Sequence, residues 1–339
     1  SEINRRLLRP ALKTDYWWKR AGMNWNPWIA SNWLACVLIC EHDRDRQLAA
    51  VAQIMTALDT FTDSYPADGG CDEGPNYWDR AAASLFDCLN LLRVATGGRV
   101  DIGSHPKIRA MAGYAYKLYA GDGRCVNFAD AGINTMALQL NVAYPFGRYT
   151  GDSTMTAFAS HIAVKKDFAN HAADIYDRSG NWPALARELF LLRDVAGLLA
   201  EPAREPLLAD VWLPDLQIMT ARRRELYVAM KGGTNGESHN HNDVGSFVVY
   251  CDNRPVIVDP GVGSYTAKTF GRDRYDIWTM QSQYHNLPVI NGMGQRDGAG
   301  YAASAVRYSK GRMRLDIDGA YPAEAGVRRW IREVRVGGS

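Results

Sequence analysis

At 339 residues, 47% of them hydrophobic, the chain has room for two domains with sizeable cores, which excludes a disordered protein. Its 39 lysines and arginines stand against 37 acids, a formal charge of +2 too balanced to suggest a nucleic-acid partner, although a local basic cleft stays open. No apolar run reaches the ~18 residues that a membrane span needs.

Ten tryptophans and seventeen tyrosines suit both core packing and planar ligands such as sugar rings. The six cysteines (Cys36, Cys40, Cys71, Cys88, Cys125, Cys251) include no C-x-x-C pair, and several sit in apolar runs, so buried free thiols are expected. The first residues, Ser1-Glu2-Ile3-Asn4-Arg5, are not a signal peptide, but a leader removed earlier would leave no trace. A periplasmic or secreted location is the expectation, with the cytoplasm as the alternative.

Up to about residue 203 apolar residues recur at three and four, which predicts helices over 27 to 41, 44 to 62, 77 to 96, 105 to 119, 131 to 143, 153 to 175 and 182 to 200. Such a series can form a bundle, a solenoid or an α/α toroid, and periodicity does not choose. Two prolines and three charges in Glu201-Pro202-Ala203-Arg204-Glu205-Pro206 mark a boundary. Beyond it, short strands are predicted at 211 to 213, 226 to 230, 244 to 250, 256 to 258, 287 to 290, 305 to 308, 313 to 317 and 327 to 336. Helices first and strands second predict an α+β chain with a helical domain over 1–203 and an antiparallel β-sandwich over 204–339. The last strand runs into Gly337-Gly338-Ser339, so a shortened sandwich is expected.

The densest site chemistry lies in Glu237-Ser238-His239-Asn240-His241-Asn242-Asp243, just before an apolar strand. In an extended segment His239 and His241 point the same way and can serve one site, as metal ligands, bases, or one of each. Asp259 closes a later strand and His285 opens the next; two histidines and a carboxylate can make a zinc triad with one position open. Two loop-to-helix junctions stand out in the helical half. One, Asp15 to Trp28, carries four tryptophans with Arg20, Asn24 and Asn26; the other, Asp68 to Trp78, surrounds Tyr77 with acids.

Taken in order, Asn24-Trp25-Asn26, Glu73-Gly74-Pro75-Asn76-Tyr77, and His239-x-His241-x-Asp243 with Asp259 and His285-Asn286 resemble the heparinase II/III family of polysaccharide lyases, over roughly residues 15 to 295. The resemblance implies an incomplete α/α toroid followed by an antiparallel β-sandwich, here with a short helical half. It also implies a substrate: an anionic, uronate-containing polysaccharide or oligosaccharide. By the same resemblance Asn24 binds the substrate carboxylate, Tyr77 protonates the leaving oxygen and His239 is the sandwich histidine of the active site. His241, Asp259 and His285 match the ligands of a structural zinc. Some relatives carry a histidine where Trp25 stands.

The implied reaction is β-elimination, in which a base removes the C5 proton of a uronate and the C4–oxygen bond breaks to leave a 4,5-unsaturated sugar. Because that proton is weakly acidic, the carboxylate must first be neutralised, for which Asn24 with Asn26 or Arg20 can donate hydrogen bonds. Histidine suits abstraction near neutrality, which points to His239, and a phenol such as Tyr77 suits donation to the leaving oxygen. Stereochemistry decides which of the two is the base. Arg20, Trp25, Asn26 and Glu73 are read as substrate contacts, although Glu73 can equally buttress Tyr77 and Asn24 can cap a helix. Two competing functions remain: a non-catalytic carbohydrate-binding relative, and a zinc hydrolase using His241, Asp259 and His285. Which glycan is used, and the oligomeric state, are not legible.

Overall fold

The computed structural model describes residues 1–134, 140–171 and 185–337. They fall into two compact units, one of Ser1–Gly69, Trp78–Gly113 and Leu138–Glu205, the other of Gly70–Tyr77, Tyr114–Ala137 and Pro206–Ser339. The last crossing, at Glu205, lies beside the proline-rich boundary. Two earlier stretches, 70–77 and 114–137, belong with the strands, which a single boundary at 203 does not anticipate.

The first unit is helical. After a π-helical turn at Asn4–Leu8 come α1 (Arg9–Lys13), α2 (Trp25–Cys40), α3 (Arg44–Ser64), α4 (Ala82–Ala95), α5 (Pro106–Lys117, whose last turn enters the second unit), α6 (Leu140–Thr150), α7 (Ser153–Lys165), α8 (Phe168–His171) and α9 (Leu185–Ala200). Side-chain caps define two starts: Asp43 accepts from the Arg46 N–H ahead of α3, and Asp152 from Thr154 and Met155 ahead of α7. Within the unit α2 packs on α3 and α4, and α6 on α7 and α9. Trp78 is buried, its Nε1 donating to the Met111 carbonyl at 2.7 Å, which holds Tyr77–Asp79 as a 3₁₀ turn and delays α4 to Ala82. The helix predicted over 153 to 175 breaks after Lys165, where Asp167 takes a left-handed φ of 51°. Residues 131 to 134 are not helical, and 135 to 139, 172 to 175 and 182 to 184 of the predicted helices lie outside the described residues.

The second unit carries β1 (Tyr119–Gly121), β2 (Arg124–Cys125), β3 (Asp210–Leu213), β4 (Ile218–Arg223), β5 (Leu226–Lys231), β6 (Thr234–Asn235), β7 (Phe247–Cys251), β8 (Arg254–Ile257), β9 (Gly298–Ala302), β10 (Ser304–Ser309), β11 (Arg312–Asp316) and β12 (Ile331–Arg335). A five-stranded antiparallel sheet runs β3-β4-β5-β7-β8 and a three-stranded one β10-β11-β12, with β6 pairing β9 and β1 pairing β2. Met219 of β4 and Met230 of β5 share one apolar cluster with Met313 and Leu315 of β11, so both sheets face a common core, consistent with a sandwich.

β4 escapes the pattern reading because methionine, alanine and two arginines give it little β-branched signal. Residues 287 to 290 do not form the predicted strand; Asn286 sits at φ 59°, Pro288 has no N–H, and only Ile290 bridges, to Met293. β7 begins at Phe247 and not at 244, since Gly245 turns the chain at φ 88°. All six cysteines are free, and no described helix is long and apolar enough to cross a membrane.

Candidate active site and metal centre

The histidine-rich segment is a loop between β6 and β7, not an extended strand. His239 takes a left-handed φ of 56°, so the alternation that would align His239 with His241 does not apply. The asparagines between them build the loop. Asn240 is buried, its amide donating to the Asn235 carbonyl at 2.7 Å while its carbonyl accepts from the Tyr275 hydroxyl at 2.7 Å. Buried Lys231 sits 2.8 Å from Asp243 and 3.3 Å from Glu237, tying down both ends of the loop.

What unites the two histidines is Asp130, which the sequence reading missed. Buried in the 114–137 stretch, its Oδ2 lies 2.8 Å from His239 Nδ1 and its Oδ1 3.1 Å from His241 Nε2. Arg274 donates to the same Oδ1 at 2.7 Å, and to the backbone carbonyls of His239 and Asn240 at 3.0 and 3.2 Å. Tyr265 donates to Oδ2 at 3.2 Å. Burial alone would raise the Asp130 pKa, but these charge-assisted bonds hold it well below the ordinary carboxylate range.

The 70–77 stretch completes the cluster. Gly74, at φ 96°, lets it pass so close that a Cβ there would meet the Phe128 carbonyl oxygen at 2.7 Å, and Asp72 accepts from the Ser238 N–H at 3.2 Å. Glu73 Oε2 thereby stands 3.0 Å from His239 Nε2. With a carboxylate at each nitrogen, His239 must donate from both. Burial opposes its charge, but Asp130 and Glu73 outweigh burial and push its pKa up to about 9. His239 thus rests as a paired imidazolium, and a base role would require it to give up a proton first.

Tyr77 stacks obliquely on His239 with ring centroids 4.2 Å apart, and its hydroxyl lies 2.8 Å from that of Tyr265. Since Tyr265 gives its proton to the carboxylate, Tyr77 donates to Tyr265. Burial raises the Tyr77 pKa, the bond to Tyr265 opposing it, so the phenol stays protonated. Phe270, largely exposed, meets His239 edge-on at 5.3 Å.

His241, Asp259 and His285 form a buried group whose ligand atoms all lie within 4.8 Å of one another. The donor set fits a zinc ion. The Asp130 carboxylate can only accept, so His241 carries its hydrogen on Nε2 and turns a buried Nδ1 lone pair, without a partner, toward the group. His285 Nε2 donates to the Thr279 carbonyl at 2.7 Å, and its Nδ1 shares a hydrogen with Asp259 Oδ2 at 2.7 Å, the proton that a metal would displace. Asn286 has a structural task, its amide joining the Phe247 and Val258 carbonyls at 2.9 and 2.8 Å.

Six of the predicted residues, Glu73, Tyr77, His239, His241, Asp259 and His285, thus meet in one unit. The other four lie in the helical unit. Asn24 is buried just before α2 and makes no side-chain cap there. Asn26 is fully buried, its amide hydrogens bonded to the Ala21 and Ala57 carbonyls at 3.0 and 2.7 Å, so it holds the loop and presents no donor to a ligand. Arg20 pairs with Asp15 in solvent, and Trp25 is half exposed against Trp28, 5.3 Å away. Arg274 and Tyr265 were missed with Asp130. Nothing in their spacing marks them, since all three gain meaning only from contacts far apart in sequence.

Residues 205–322 match the family model described as heparinase II/III-like, C-terminal. Among solved structures the chain is similar to a crystal structure of heparinase III, with a TM-score of 0.63 and 14% identity over 92% of this chain and 45% of that one. It is also similar to heparan sulfate lyase HepC from Pedobacter heparinus, at 0.56 and 15% over 93% and 44%. The chain therefore spans less than half the length of these structures, and at such identity the likeness is one of fold. No curated protein matches. Residues 205–322 thus match the heparinase II/III-like C-terminal model, and over most of its length the chain shares the fold of these structures.

Proposed function

We propose that the chain is the whole or a part of a polysaccharide lyase that cleaves a uronate-containing glycan by β-elimination, its helices belonging to an incomplete α/α toroid. The supporting observation is the contact between a protonated phenol, Tyr77, and an imidazole, His239, braced on both nitrogens by carboxylates. Tyr77 delivers its proton to the glycosidic oxygen as the C4–oxygen bond breaks, and Tyr265 keeps that hydroxyl oriented. His239 takes the C5 proton, for which Nε2 must first release its own, and Glu73 is the acceptor beside it. Asn24 is proposed to bind the uronate carboxylate.

Zinc held by His241, Asp259 and His285 would supply cross-linking: it would fix the His239 loop to the segment after β8 that carries Asp259 and to the turn that carries His285. Panels of uronate polymers should yield an ultraviolet-absorbing unsaturated product. Tyr77→Phe and His239→Ala should each reduce its rate by about 10²- to 10⁴-fold with the fold retained. Undiminished rates in either variant would overturn these roles, and no product from any polymer would overturn the lyase reading.

A further inference from the structure

A second polar cleft lies wholly within the helical unit and shares no residue with the Tyr77 and His239 cluster. Its volume is about 340 Å³, and it is lined by Asn90 and Arg93 of α4, Arg148 and Tyr149 of α6, and Arg193 and Asp194 of α9. Arg93 stands about 16 Å along α4 from Ala82, taking 1.5 Å per residue.

Two of the three arginines around this cleft are paired, and the third is not. Arg193 takes both oxygens of Asp194, at 3.1 and 2.9 Å, and Arg93 reaches Asp101 at 3.0 Å. Arg148 is left 3.7 Å from Asp194, beyond a hydrogen bond, with its side chain 58% exposed. Three guanidinium groups thus line the cleft, two of them paired with Asp194 and Asp101, while among the described residues Arg148 has no carboxylate within hydrogen-bond reach. Beside them stands a rigid aromatic face. The Tyr149 oxygen accepts the Ile102 N–H at 3.0 Å, its ring lies 5.6 Å from that of Phe86, and the Arg93 guanidinium covers it at 5.9 Å.

We propose that this cleft binds one acidic sugar unit, its carboxylate or sulfate ester forked by Arg148 and Arg93 and its ring against Tyr149. The glycan assignment rests on the lyase reading, and the cleft would act as a remote subsite on the same polymer. The oxyanion site itself follows from the arginines alone.

The test follows the arginine Nε–H resonances of the ¹⁵N-labelled full chain. Titration with glucuronate and with a glucosamine sulfate should move the Arg148 and Arg93 resonances saturably for at least one of the two, and glucose should move neither. Whichever acid binds identifies the oxyanion. Arg148→Gln should weaken that binding about tenfold, the effect of one lost charge-assisted bond, without lowering the thermal midpoint. Resonances that stay still with both acids, or unchanged affinity in Arg148→Gln, would overturn the site. Inorganic sulfate binding as tightly as the better sugar would reduce it to a plain anion site and overturn the sugar assignment. Failure of the lyase reading is seen separately, as absence of unsaturated product while these shifts persist.

Discussion

Two buried polar networks, one in each unit, use similar side chains to different ends. In the helical unit Arg187 lies between Asp79 and Asp87, at 2.5 and 2.8 Å, and also donates to the Asp79 carbonyl at 3.0 Å. Each carboxylate meets the guanidinium directly, and the group is built around a helix start. In the strand unit Asp130 serves four donors, but the network opens outward: a bare His241 nitrogen on one side, a half-buried Tyr77 on the other. A closed network holds a fold, whereas one with unmet hydrogen-bonding capacity is shaped for something absent from the chain itself.

The sharpest way to break this contrast is Asp130→Asn. Removing the charge unsettles His239 and His241 together, so product formation should fall by about 10²- to 10³-fold, and zinc affinity about 10- to 100-fold, the usual effect of losing a carboxylate behind a metal-binding histidine. Loss of activity with zinc affinity untouched would show that the carboxylate does not join the two halves of the site. Arg187→Met is the matching change in the closed network. It strands the largely buried Asp87, while Asp79 keeps Arg80 at 2.6 Å, and should lower unfolding free energy by about 3 kcal/mol, measured in urea, while the rate per folded molecule stays at the wild-type value. A specific loss of rate would remove the distinction.

Legibility in the sequence followed the same division. His239, His241, Asp259 and His285 were readable because rare side chains cluster within short windows, and Tyr77 because it follows a Glu-Gly-Pro turn. The order of helices and strands was readable from a change of period. Asp130 was not, since an aspartate in Asn127-Phe128-Ala129-Asp130 looks like any polar loop until His239, 109 residues away, meets it. The protonated state of His239 was illegible for the same reason, being set by carboxylates from two other segments. Asn26 misled in the opposite sense: a polar residue in a tryptophan-rich loop suggested a ligand contact, but its hydrogens go to the backbone.

The metal half of the open cluster gives a smaller effect. Chelation should remove from zinc-loaded wild type the binding free energy that zinc adds to the folded state, about 3–4 kcal/mol at metal concentrations 100 to 1,000 times the dissociation constant, and lower the thermal midpoint accordingly. His241→Ala should begin near the chelated midpoint and not respond further. An equal drop in both proteins would mean that the ion sits elsewhere.

The smallest expected effect probes a closed network by pH. Glu41, at the end of α2, accepts from Arg46 at 2.9 and 3.1 Å, from the Asp43 N–H at 3.0 Å and from Asn4 at 3.1 Å, and these bonds, Arg46 foremost, lower its pKa to about 2. A carboxylate whose pKa is depressed on folding stabilises fully above its unfolded value, near 4.3. That contribution fades as the pH falls through about 2. The stability gap between wild type and Glu41→Gln, followed by urea unfolding, should be flat above pH ~5 and narrow steadily below it. Since the network is closed, the rate per folded molecule should not differ between the two at any of these pH values. A gap that widened on acidification would mean that Glu41 is held by something other than its positive and N–H partners.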